Sequence, residues 1–175
     1  MPDRKQPEPW LRGTLNGEPP VSRAVLHALE LAGEDLDFFC AELTDAEFNK
    51  SPHGLPPVAF HLRHIARSLD RLLSYAEGNS LRPEQRAALK SEFEPGATRD
   101  ELFREFHAAL TRSAARIRAL DGATLDAVTL DQKRVVGSKQ LPTTVAGLLV
   151  HVADHTQRHV GQAITTAKVV VAQRP

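Results

Sequence analysis

The sequence predicts an all-α protein: a four-helix bundle with short connecting helices and an extended N-terminal arm. Three observations carry this. Apolar residues recur at spacings of three and four in four long stretches, proline and glycine punctuate the boundaries, and no set of alternating strands appears outside one loop. Each stretch has one apolar stripe that must be covered, and four such stripes cover one another in a bundle.

Residues 1–20 hold Pro2, Pro7, Pro9, Pro19 and Pro20 with little periodic apolar content, which predicts an extended arm packed through Trp10. The domain proper is then 21–175. The first long helix is expected from Ser22 to Leu43, where Val25, Leu29, Ala32, Leu36, Phe39 and Leu43 form one stripe. Thr44 and Glu47 stand at capping-box spacing and predict a short helical turn, ended by Pro52, Pro56 and Pro57. The second long helix is expected from Pro57 to Glu77, with Val58, Leu62, Ile65, Leu69, Leu72 and Leu73 on one side and Gly78 as its stop. Pro83 opens a short connecting helix in "RPEQRAAL". Thr98 and Glu101 repeat the capping-box spacing and start the third long helix, whose buried face is Leu102, Phe106, Leu110, Ile117 and Leu120. "VTLDQKRVVGSKQLP" reads as a loop or short hairpin. The last helix begins at Thr143 or Thr144 and runs to Val171.

A chain of 175 residues is most simply one domain with a real core. Lys+Arg and Asp+Glu both number 22, so no broad basic footprint exists for nucleic acid. The single cysteine, Cys40, excludes an internal disulfide framework, fits a reducing cytoplasm, and reads as a small buried residue. "MPDRKQPEPW" has no apolar run typical of a signal peptide, and "AGLLV" and "VVVA" are far shorter than the ~20 residues of a membrane span. The expectation is a cytoplasmic protein that contacts neither membrane nor nucleic acid.

The chemistry lies in the histidines. "HVADHTQRHVGQ" spaces His151, His155 and His159 by four, which stacks them along one helix face. With Val145 as origin, His159 falls about 40° from the centre of the apolar stripe, His155 about 80° and His151 about 120°. His155 and His159 therefore sit where aliphatic residues usually pack, and a buried imidazole needs partners for its nitrogens. One such histidine is read most simply as a hydrogen-bonded core residue. Two at i and i+4 bring their nitrogens within reach of one Zn²⁺-sized ion, although no Glu follows His155 as in zinc proteases. A third ligand must come from elsewhere. The candidates are His61 and His64 in "FHLRHIARS"; by periodicity His61 points inward and His64 lies farther off the stripe. His27, His53 and His107 fall on other elements and read as structural or surface histidines.

These residues resemble the DinB/YfiT-like superfamily of metal-binding four-helix bundles, which is distinct from the similarly named DNA polymerase. "HIARS" at 64–68 is similar to the family's H-[hydrophobic]-A-x-S element, and "HVADHTQRHVGQ" to its H-x-x-x-H-x-x-x-H-x-G-Q element. The resemblance covers about residues 20–172. It implies a divalent metal, zinc or nickel, held by His64, His155 and His159, with His151 outside the ligand set. It chooses His64 where periodicity favours His61, which stays the alternative ligand. Gly161 is then expected to allow close helix approach, and Gln162 to support the site from behind the ligands. Arg67 stands where one branch has an acid, and Arg158 and Val160 flank His159 where His-Arg is common, so no branch-specific substrate follows.

The resemblance implies either a hydrolase or a transferase that uses a low-molecular-weight thiol such as bacillithiol or mycothiol, assembled as a homodimer. Three neutral imidazoles with an open coordination position suit both chemistries. A metal-binding bundle without catalysis and a purely structural bundle are the other two readings.

Overall fold

A computed structural model describes residues 6–121 and 127–175; residues 1–5, the start of the expected N-terminal arm, lie outside the described residues. The chain is mainly helical, with one small two-stranded sheet. Helix α1 spans Pro20–Phe39 and begins with Pro20, whose ring pre-sets a helical φ and whose missing N–H leaves nothing unpaired in a first turn. Val25, Leu29, Ala32 and Leu36 are buried as expected. The helix ends at Phe39, four residues short of the expected Leu43. Cys40 and Leu43 remain buried because the chain turns back beneath the helix end, Leu43 N donating to Cys40 O at 3.3 Å. Periodicity reports burial, and here burial outlasts the helical backbone.

Helix α2, Asp45–Phe48, is set by its capping box: the Thr44 N–H donates to Glu47 Oε2 (2.8 Å) and the Glu47 N–H to Thr44 Oγ1 (3.3 Å). It delivers Phe48, fully buried, into the core. Helix α3 spans Val58–Ala76, and Gly78 takes the positive φ of 83° that lets the chain leave it. Helix α4, Pro83–Ala88, is short. Helix α5, Arg99–Asp121, starts from the second box, with Thr98 N on Glu101 Oε2 (2.9 Å) and Glu101 N on Thr98 Oγ1 (3.3 Å). After α6 (Ala127–Leu130), strands β1 (Lys133–Val136) and β2 (Leu141–Thr144) pair antiparallel, Lys133 opposite Thr144 and Val136 opposite Leu141. Thr144 then caps α7, Val145–Ala172, by accepting from Gly147 N at 3.0 Å.

Helix α7 packs on α1 and α3, and α5 on α3 and α1. Leu36, Leu62, Ile65, Leu69, Leu73, Phe106, Ile117 and Leu149 fill the centre, each fully buried. Gly33 permits the approach of α5 to α1, since a Cβ there would stand 3.3 Å from Leu110 Cδ1.

The N-terminal segment is not simply extended and is not anchored by Trp10. Pro9–Leu11 make a 3-10 turn with Pro9 buried; Trp10 is 61% exposed, its indole donating to Glu8. Arg12 holds the segment instead, through paired contacts to both Glu34 oxygens at 2.6 and 2.7 Å. No helix among the described residues is long and apolar enough to cross a membrane.

Candidate metal centre

Helices α3 and α7 meet along a seam to which each contributes histidines at helical spacing. The structure brings together His64 from α3 and His155 and His159 from α7: one ring nitrogen from each lies within 4.8 Å of the others. His64 Nε2 and His155 Nε2 are 3.3 Å apart, and the ring of His159 lies 4.3 Å from that of His64 and 4.6 Å from that of His155.

The outward nitrogens are engaged. His64 Nδ1 is 2.7 Å from Glu92 Oε2, whose other oxygen accepts from Arg71 Nη1 at 2.8 Å. Ser68 Oγ donates to Ile65 O and lies 3.5 Å from His155 Nδ1. His159 Nδ1 is 3.1 Å from His61 Nδ1. With Nδ1 of each ring engaged, Nε2 is the nitrogen left to serve as a donor, the arrangement by which partners behind a ligand fix its tautomer. Phe60 stacks on His64 at 5.3 Å and on the exposed Phe93 at 3.9 Å. Beside Phe60 and Glu92 is a cavity of about 160 Å³, also lined by Asn49, Ser51 and Phe93.

Burial, and then the repulsion that protonated His155 would meet from His159 and His64, push His155 down to about 4. Burial followed by His64 and Arg158 does the same to His159. Both rings are neutral near pH 7 and carry free lone pairs, the state that ligation requires. Burial pushes the Glu92 carboxyl upward, but hydrogen bonds from His64 and Arg71 outweigh it and hold the group below the usual carboxylate range. Convergent imidazoles with partners behind them, one of these a carboxylate, are a donor set that fits a divalent metal.

The periodicity argument ranked the two α3 histidines by burial, and it ranked burial correctly: His61 is 2% exposed. The centre of the core is not the seam between two helices, however, and His64, off the stripe, is the residue that meets His155 and His159. His151 stays half-exposed, 2.9 Å from Asp154. Gln162 is exposed, and the groups touching the imidazoles are Glu92, Ser68, His61 and Phe60 instead. Gly161 is also not a point of helix approach, because a Cβ there would meet nothing within 4 Å.

The remaining histidines make ordinary structural contacts. His27 lies 3.2 Å from Thr14 Oγ1, His53 2.9 Å from Gln173, and His107 2.9 Å from Asp37. Cys40 is fully buried, and burial followed by the charge of Asp37 pushes its thiol up to about 12. Glu92 and Arg71 were missed by the sequence reading. Arg71 sits seven residues after His64, two turns along the same face, a usable signal; Glu92 lies in an irregular segment with no periodicity to mark it.

The family model for the DinB superfamily matches residues 28–163, a span that includes all the site histidines. A crystal structure described as the conserved protein of locus from Enterococcus faecalis is similar in fold, with a TM-score of 0.69 and 20% identity, covering 89% of this chain and 100% of that one. No curated protein matches the sequence significantly.

Proposed function

Because the chain belongs to the DinB superfamily, we propose that it binds one divalent metal ion, zinc or nickel, through Nε2 of His64, His155 and His159, and that this centre serves a hydrolase or a low-molecular-weight-thiol S-transferase. The observation that carries the reading is the convergence of three imidazoles from two helices, each with its other nitrogen engaged. Imidazole donors suit zinc and nickel over calcium or magnesium, which prefer oxygen.

When bound, such an ion would lower the pKa of a coordinated water to about 7 or deprotonate a coordinated thiol, either of which would be a nucleophile at neutral pH. The chain's own residues set the conditions for this. Three neutral ligands leave the positive charge of the ion intact, whereas carboxylate ligands would cancel it. Glu92 fixes the His64 ring and is itself fixed by Arg71, so the donor set is pre-oriented. Phe60 covers one face of His64 with an apolar ring and excludes water there. The substrate is a small molecule, the protein works in the cytoplasm, and it assembles as a homodimer.

Metal analysis of protein purified without a histidine tag tests the centre, with about one equivalent of zinc or nickel per chain expected; none would refute it. Turnover of a thiol with an electrophile, or of a hydrolysable ester or amide, is then measured before and after EDTA. Metal-dependent turnover supports the enzyme; a metal-loaded but inert protein favours the non-catalytic bundle.

A further inference from the structure

We propose that His61 is a positioning residue for His159, accepting a hydrogen bond from the His159 Nδ1–H so that His159 Nε2 is presented to the metal. The inference rests on the metal reading above. The two Nδ1 atoms are 3.1 Å apart, so one ring must donate and the other accept. A histidine that offers Nε2 to a metal carries its ring proton on Nδ1. His159 is then the donor, His61 Nδ1 the acceptor, and the proton of His61 resides on Nε2.

The burial of His61 supports the same assignment. The ring is 2% exposed, and its Nε2 is one of two buried side-chain polar atoms without a hydrogen-bond partner among the described residues. A core histidine kept for its own hydrogen bonds would have both nitrogens satisfied. This one is satisfied only toward His159 and is boxed in by Phe60, whose ring meets it edge-on at 5.2 Å. Its position therefore serves the neighbour. The opposite tautomer pair, His61 donating to His159, would place a proton on His159 Nε2 and block ligation. His61 thus completes a set: Glu92 stands behind His64, Ser68 behind His155 and His61 behind His159. Unlike Glu92 it adds no negative charge.

The test measures zinc affinity of the untagged full chain by competition with a chromophoric chelator, for wild type, His61→Phe and His61→Asn. Phenylalanine fills the space but accepts nothing, and about a tenfold to hundredfold loss of affinity is expected. Asparagine puts Oδ1 where Nδ1 stood and should recover most of that loss. Independently of any variant, ¹⁵N NMR of the zinc-loaded wild type should find the His159 proton on Nδ1 and the His61 proton on Nε2. Wild-type affinity in His61→Phe, no rescue by asparagine, or a His159 proton on Nε2 would overturn the proposal. So would abolished binding in His61→Phe alongside retained binding in His64→Ala, which would make His61 itself the ligand. A wild type that binds no zinc refutes the metal centre and this role together; a zinc-binding wild type indifferent to His61 refutes this role alone.

Discussion

His155 and His159 sit on α7 at positions where aliphatic side chains would be cheaper to bury, and their replacement separates ligand from bystander. His155→Ala and His159→Ala should lose most bound metal, while His151→Ala, already paired with Asp154 at the surface, should keep it; elemental analysis reads all three. Glu92→Gln keeps the shape but removes the anion behind His64, and about a tenfold to hundredfold weaker affinity is expected from the same chelator competition. The metal-free protein should also report its neutral imidazoles through pH. His61, His155 and His159 are held at about 4 in the fold against an ordinary 6.5, so between those values the unfolded chain binds more protons. Stability should be full above about pH 6.5 and fall as pH drops toward 4. Urea midpoints that do not change across that window would contradict the depressed values. The meeting of His64, His155 and His159 was legible from two sequence motifs, but the carboxylate behind His64 was not. Glu92 is remote in sequence, and its meaning arises only when α3 folds beneath its segment.

Helix starts were the most legible elements, because a threonine and a glutamate three residues apart satisfy orphan amides by local geometry alone. Thr98→Ala should cost about 1 kcal/mol by urea unfolding, with the fold intact. Leu149→Ala, in the fully buried stripe of α7, should cost about 2–5 kcal/mol, and a value below 1 would contradict the assigned packing. Helix ends were less legible. The α1 stripe continues to Leu43 although its backbone does not, and hydrophobic spacing cannot see a chain reversal that keeps the same residues inside. Trp10 misled in the opposite way. A large aromatic in a proline-rich segment suggests an anchor, yet a charged pair with Glu34 holds Arg12 while the indole faces outward. For α3, a helical wheel gives distance from the stripe centre but not the direction of the neighbouring helix, so it ranks His61 as the more buried ring without showing that His64 is the one beside His155.

At the scale of the molecule, the three candidate ligands are divided between two helices that pack on each other, so an ion bound there would favour the folded chain over the unfolded one. Zinc at a hundredfold excess over its dissociation constant should add about 2.7 kcal/mol of stability, read as a raised urea midpoint that EDTA reverses. The division also has a consequence for the order of events as the protein is made. His64 and His155 are 91 positions apart, and α7 comes after every other described element. A growing polypeptide therefore carries its first candidate ligand long before it acquires the other two. On the proposed metal centre, capture of the ion would be a closing act of maturation that only a chain with α7 docked on α3 could perform, and loading with metal would certify that these two helices have assembled.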